Sequence, residues 1–217
     1  MPRSSQLGEE THEADSFSYA LRSGIAGRSC CWSYLSAGSA DRLRGSIAAI
    51  DDKTVTVATR EGPKAKINLT ENWGVRLVVP ITVADIKENS FVGIASVKAA
   101  DGTLNALEVL VFPENMRGVG EGHYPWDLQP ESMMTNATGA KVATAPSGET
   151  LALSYKGDGK QIIVVKPGTP IVTFQPGTKS DAKVGAKFIV TAATKDAEGN
   201  LKAARLAVGR DGFKPPM

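Results

Sequence analysis

Residues able to do chemistry concentrate in one stretch, Arg117-Gly118-Val119-Gly120-Glu121-Gly122-His123-Tyr124-Pro125-Trp126-Asp127. Its glycines invite a phosphate-loop reading, but the dinucleotide fingerprint is G-x-G-x-x-G between a strand and a helix. Here the spacing is G-x-G-x-G, and Pro125 blocks a helix just after it, so a tightly turned connector is expected. His123 with Glu121 and Asp127 offers metal ligands, yet zinc sites use three or four N or S donors. The other histidine is His12, and Cys30 and Cys31 are adjacent rather than C-x₂-C. No intrinsic metal or cofactor is expected. A nucleophilic triad needs a positioned histidine, and no Gly-x-Ser-x-Gly elbow accompanies His123, so the chain reads as non-enzymatic.

Tyr124 and Trp126 are costly to leave in water. The expectation is that they lodge between two domains and fix their angle, with Arg117 pairing to Glu121 or Asp127. Sites favour domain interfaces. Arg117, Glu121, His123, Tyr124, Trp126 and Asp127 are therefore the candidate ligand or partner site, while His123 and Tyr124 also suit hydrogen bonds tying the linker to a barrel.

The elements that must position this stretch are strands. From Arg42 onward apolar residues alternate: Val55 and Val57, Ile67 and Leu69, Val92 and Ile94, then Leu107, Val109 and Val111. Period two means strands with one wet face. Asp51-Asp52, Glu61-Gly62-Pro63 and Asp101-Gly102 punctuate them, the last a hairpin signal. The pattern then repeats. Residues 91–111 align without a gap on 188–208, with Phe91/Phe188, Lys98/Lys195, Gly102/Gly199, Leu104/Leu201 and Val111/Val208 identical. Upstream the offset falls by one, so that Asn89 matches Gly185, the two residue types most at ease in a left-handed turn. Phe91 and Phe188 are expected in the core.

Each copy reads as five or six strands with a one-turn connector before a long hairpin. A sheet this small hides its edges best as a barrel. The predicted fold is all-β: two tandem small OB-like barrels at 41–113 and 138–217, a linker at 114–137, and a flexible tail or degraded signal region at 1–40. A single β-sandwich is the alternative.

The chain has 217 residues, 41% hydrophobic and 22% charged, which suits one domain or two small ones. No run is long and apolar enough to cross a bilayer as a helix. Residues 138–217 carry twelve basic and six acidic side chains. That imbalance suggests single-stranded nucleic acid as an alternative partner, with Tyr155 and Trp73 as stacking platforms. A metal-binding accessory role is the weaker alternative.

Arg42-Leu43-Arg44-Gly45-Ser46-Ile47, Asp101-Gly102-Thr103-Leu104, the linker GEGHYPWDL and Val208-Gly209-Arg210-Asp211-Gly212 resemble exported alphaproteobacterial proteins of unknown function. The resemblance covers roughly 42–217. It implies a signal peptide and tandem OB-like barrels in the periplasm. Members are often labelled "metal ABC transporter permease", which conflicts with a chain lacking membrane helices. Residues 1–40 hold only Cys30-Cys31-Trp32-Ser33-Tyr34-Leu35 as an apolar centre, too short for a competent signal. If they are the true N-terminus, the protein is cytoplasmic. The expected function is a non-enzymatic envelope protein binding a small ligand or protein at the inter-barrel junction.

Overall fold

The computed structural model describes residues 41–60, 62–145, 148–196 and 198–216. The expectations for 1–40, including His12 and Cys30-Cys31, lie outside them. Twelve strands form: β1 (Asp41–Ile50), β2 (Thr54–Thr59), β3 (Lys64–Pro80), β4 (Phe91–Lys98), β5 (Leu104–Val111), β6 (Gly122–Pro125), β7 (Met133–Ala145), β8 (Gly148–Tyr155), β9 (Gly159–Val165), β10 (Ile171–Pro176), β11 (Lys187–Lys195) and β12 (Leu201–Gly209). The fold is all-β, as expected. Among the described residues no helix is long and apolar enough to cross a membrane.

Local chemistry sets the turns. Asp51 accepts the N–H groups of Lys53 and Thr54 at 2.8 and 2.7 Å, holding the β1–β2 turn. Single 3-10 turns at Val83–Asp85 and Lys179–Asp181 precede the hairpins, and in both the final aspartate takes the N–H and hydroxyl of a threonine, Thr82 or Thr178. The matched Asn89 and Gly185 both have positive φ, 62° and 86°. In the hairpin turns, Gly102 N–H donates to Ala99 and Gly199 N–H to the corresponding Asp196. These aligned positions thus take matching local conformations.

The sheet closes twice. β1, β2, β3, β12 and β11 form one ring, sealed by parallel pairing of β12 with β3 and antiparallel pairing of β11 with β1. β7, β8, β9, β5 and β4 form the other, sealed by β5 against β9 and β4 against β7. Two closed rings exclude the sandwich alternative. Both rings have the same strand order.

Neither ring is built from one copy. The first barrel takes three strands from copy one and the β11–β12 hairpin from copy two, and the second takes β7–β9 and the β4–β5 hairpin. The expected division into 41–113 and 138–217 is therefore corrected: the copies exchange hairpins. β3 shows the physical reason. Its 17 residues span roughly 55 Å when extended, more than a small barrel needs. Its first part pairs with β2, while its last part, Arg76–Pro80, pairs antiparallel with β10. β3 thus stays paired with β12 through Val78 while its other edge lies on β10, and it runs past the first barrel before the β4–β5 hairpin begins.

The cores follow this exchange. Val55 and Ile67 pack with Leu206 and Val208 in one barrel. Leu151 and Ile163 pack with Val92 and Val109 in the other. A third cluster, Val78, Leu110, Met116, Val172, Phe174 and Ile189, fills the junction. Phe91 and Phe188 are both buried, as expected.

Candidate functional site

The linker is held to both barrels. β6 pairs with β7, setting His123 opposite Thr135 and Tyr124 opposite Met134. His123 Nδ1 lies 2.8 Å from the Thr135 hydroxyl, and its ring stacks on Tyr155 at 6.3 Å. Burial lowers its pKa below the usual histidine range. The Tyr124 hydroxyl accepts from Asn136 Nδ2 at 3.1 Å, and the same amide donates to Val119 O at 3.1 Å. Both linker residues therefore tie to a barrel by hydrogen bonds. Gly120 has φ 60°, and a Cβ there would come within 3.0 Å of Asn136 Nδ2, so glycine is needed for this approach.

Toward the first barrel, Arg42 lays its guanidinium over the Trp126 ring, 4.0 Å from the centroid. Arg44 reaches Asp127 with two parallel hydrogen bonds of 3.0 and 2.8 Å. Those bonds hold the Asp127 carboxyl below the usual carboxylate range. The other end of the linker behaves differently. Arg117 does not pair with Glu121 or Asp127. It forks onto Glu114, at 2.7 Å for the Nη2–Oε2 contact, and donates to Asn89 O at 2.9 Å. Glu114 is three residues away on the same turn, so the pair forms without a long chain closure. Glu121 instead accepts the Lys156 N–H at 3.1 Å.

A cavity of about 270 Å³ lies at the junction. Tyr124 and Trp126 from the linker line it, with Phe112, Phe174, Leu110 and Met134 as its apolar wall. Three arginines, Arg42, Arg76 and Arg205, also line it, and among the described residues no Asp or Glu does. Of the expected site residues, Tyr124 and Trp126 reach this cavity. Arg117, Glu121, His123 and Asp127 surround the linker without lining it.

Polar atoms around the cavity are underused. Arg42 Nε, Trp126 Nε1 and Asn136 Oδ1 are buried with no hydrogen-bond partner, although all three residues belong to the lining. Buried polar groups are otherwise almost always paired.

Close to Arg44 and Asp127 sits Glu108 of β5, 1% exposed, with neither carboxylate oxygen hydrogen-bonded. Burial pushes its pKa up to about 8, opposed by the Arg44 charge and reinforced by Asp127. At neutral pH it is mostly protonated.

Sequence reasoning missed Arg42, Arg76, Arg205 and Asn136 as lining residues. One signal was available. At the repeat offset Arg76 corresponds to Val172, and Arg205 to Glu108, so charge differs between otherwise matched positions. The proposed stacking platforms are placed otherwise. Trp73 is 5% exposed, donates its indole N–H to Asp52 O at 3.2 Å and is covered by Lys179. Tyr155 packs against the second core and stacks with His123. The basic block at 138–217 is likewise divided between the two barrels, so no separate C-terminal barrel carries it. Among the described residues no three His, Cys, Asp or Glu groups come together as a metal site.

Compared with known proteins, the chain matches no protein-family model, no curated protein and no solved structure.

Proposed function

We propose that this protein is a non-enzymatic envelope protein that binds a small ligand in the cavity between its barrels. The observation that carries this reading is the conjunction at one place of an apolar, aromatic wall and buried polar atoms left without partners. Ligand sites have that composition, a mostly apolar cleft with a few placed polar groups. The polar side chains of the lining, Arg42, Arg76, Arg205, Asn136, Tyr124 and Thr191, are groups that hold and orient a ligand. The envelope location rests on the resemblance of the linker GEGHYPWDL to exported proteins. Mass spectrometry of the mature N-terminus from cells tests that part.

The binding part is tested by NMR screening of a set of small organic fragments against the full chain. Shifts should cluster on the methyl groups of Met134, Leu110 and Ile189. Ala192 lies exposed at the cavity lining, so Ala192→Phe should block the mouth without disturbing the core. Shifts confined to the outer barrel faces, or undiminished by Ala192→Phe, would overturn the reading.

A further inference from the structure

We infer that the ligand of the junction cavity is a small organic anion with a flat aromatic body, its charged end held by Arg76 and Arg205. This inference rests on the reading of the junction as a ligand site and adds the class of molecule.

The two arginines stand on adjacent strands. β3 and β12 run parallel with Arg76 opposite Ala207 and Arg205 opposite Gly74, which puts both side chains on the same face of the sheet. Among the described residues neither has a hydrogen-bond or ion-pair partner. Burial and the neighbouring Arg205 charge both lower the Arg76 pKa. The two like charges repel across the cavity, partly screened because Arg205 is exposed, and among the described residues the lining holds no carboxylate to neutralise them. An anion between them turns that repulsion into two attractions and gives each planar fork its natural partner.

The remaining wall selects the body of the ligand. Arg76 lies over the Phe174 ring at 5.7 Å, and Arg42 over Trp126 at 4.0 Å. Tyr124 stands edge-on to Trp126 with centroids 6.2 Å apart. Phe112 stands edge-on to Phe174 at 6.3 Å. Together these side chains make an aromatic wall with guanidinium groups laid on it, a surface against which a flat ring can pack. Trp126, a lining residue, also keeps its indole N–H buried without a protein partner. A volume of about 270 Å³ lies just below the usual range of ligand pockets, which suits one or two fused rings rather than a polymer strand.

The class is tested with three probes on the full-length protein: 2-naphthoate, its neutral amide and inorganic sulfate, followed by calorimetry and by NMR shifts of the cavity methyls. The expected result is that naphthoate binds at the cavity at least about tenfold more tightly than the amide, and sulfate more weakly than naphthoate. Arg205 is exposed, so Arg205→Gln leaves the fold intact and should remove most of that preference; Arg76→Gln should do the same. Equal binding of naphthoate and amide at the cavity overturns the anion assignment while leaving the junction site standing. Tight sulfate binding overturns the aromatic body. If none of the three probes shifts the cavity methyls, this assignment fails, and the fragment screen separately decides the junction site.

Discussion

Val78 and Phe174 face each other in the antiparallel pairing of β3 with β10, and they are the same position of the two repeats. A residue that pairs with its own counterpart marks a pseudo-twofold axis, as in an isologous dimer interface. The surrounding pairs obey the same axis. Val75, Arg76 and Leu77 meet Leu206, Ala207 and Val208 of β12, while the matching Ile171, Val172 and Thr173 meet Val109, Leu110 and Val111 of β5. The chain is therefore arranged like a hairpin-swapped dimer joined through a linker. The candidate site lies where the two repeats stop being alike, at Arg76 and Arg205.

Because the junction cluster is shared, weakening it should destabilise both barrels together. Phe174→Ala removes a mostly buried ring beside Val78 and Val172. The expected loss is about 3–5 kcal/mol, with one cooperative unfolding transition retained. Denaturant unfolding followed by tryptophan fluorescence and circular dichroism checks this; two separated transitions in the wild type would contradict a shared core.

Stability should also fall as pH rises through neutrality. Glu108 is raised from 4.5 to about 8 in the folded state, so between those values the native protein holds a proton that the unfolded chain has released. Its contribution is unfavourable and grows until pH exceeds about 8, on the order of a few kcal/mol. Arg44 and Asp127 are the charged groups acting on it, the arginine opposing the shift and the aspartate adding to it. Glu108→Gln should flatten the slope above pH 5 and stabilise the protein at pH 9. Melting temperatures across this range, unchanged by the substitution, would refute the assignment.

Asp127 works with the opposite sign. Its folded pKa lies below 3.8, so the stability it supplies is present at neutral pH and is lost as pH falls through the lowered value. Asp127→Ala also leaves the nearly buried Arg44 without its partner. The cost should be about 1–3 kcal/mol, the lower part of that range reflecting the exposure of Asp127. Chemical denaturation at pH 7 measures it, and the difference from wild type should shrink near pH 3.

Local features were legible in the sequence because local physics decides them. Asn89 and Gly185 announced a left-handed turn, Gly102 and Gly199 a hairpin, and Phe91 and Phe188 a core position. The hairpin exchange was not legible, and the repeat itself is the reason. β1 meets the hairpin strand that carries Phe188, but the strand that carries Phe91 has nearly the same pattern, so sequence alone favours neither partner. Trp126 and Tyr124 were found because large aromatics in a glycine-rich linker need a place to go. Arg76 and Arg205 look like solvated strand residues until the parallel pairing of β3 with β12 brings them together. Trp73 looked like a free platform because the lysine covering it, Lys179, comes from the other repeat.

The exchange itself is tested most directly by disulfide trapping in a protein whose Cys30 and Cys31 are replaced by serine. Ser46 and Lys187 are paired partners on β1 and β11. Such partners stand about 4.5–5.5 Å apart, within reach of a disulfide. Ser46→Cys with Lys187→Cys should cross-link rapidly within the monomer. In an arrangement without exchange the partner would be Ser90, the counterpart of Lys187. Cross-linking of Ser46→Cys with Ser90→Cys, and not with Lys187→Cys, would contradict the account.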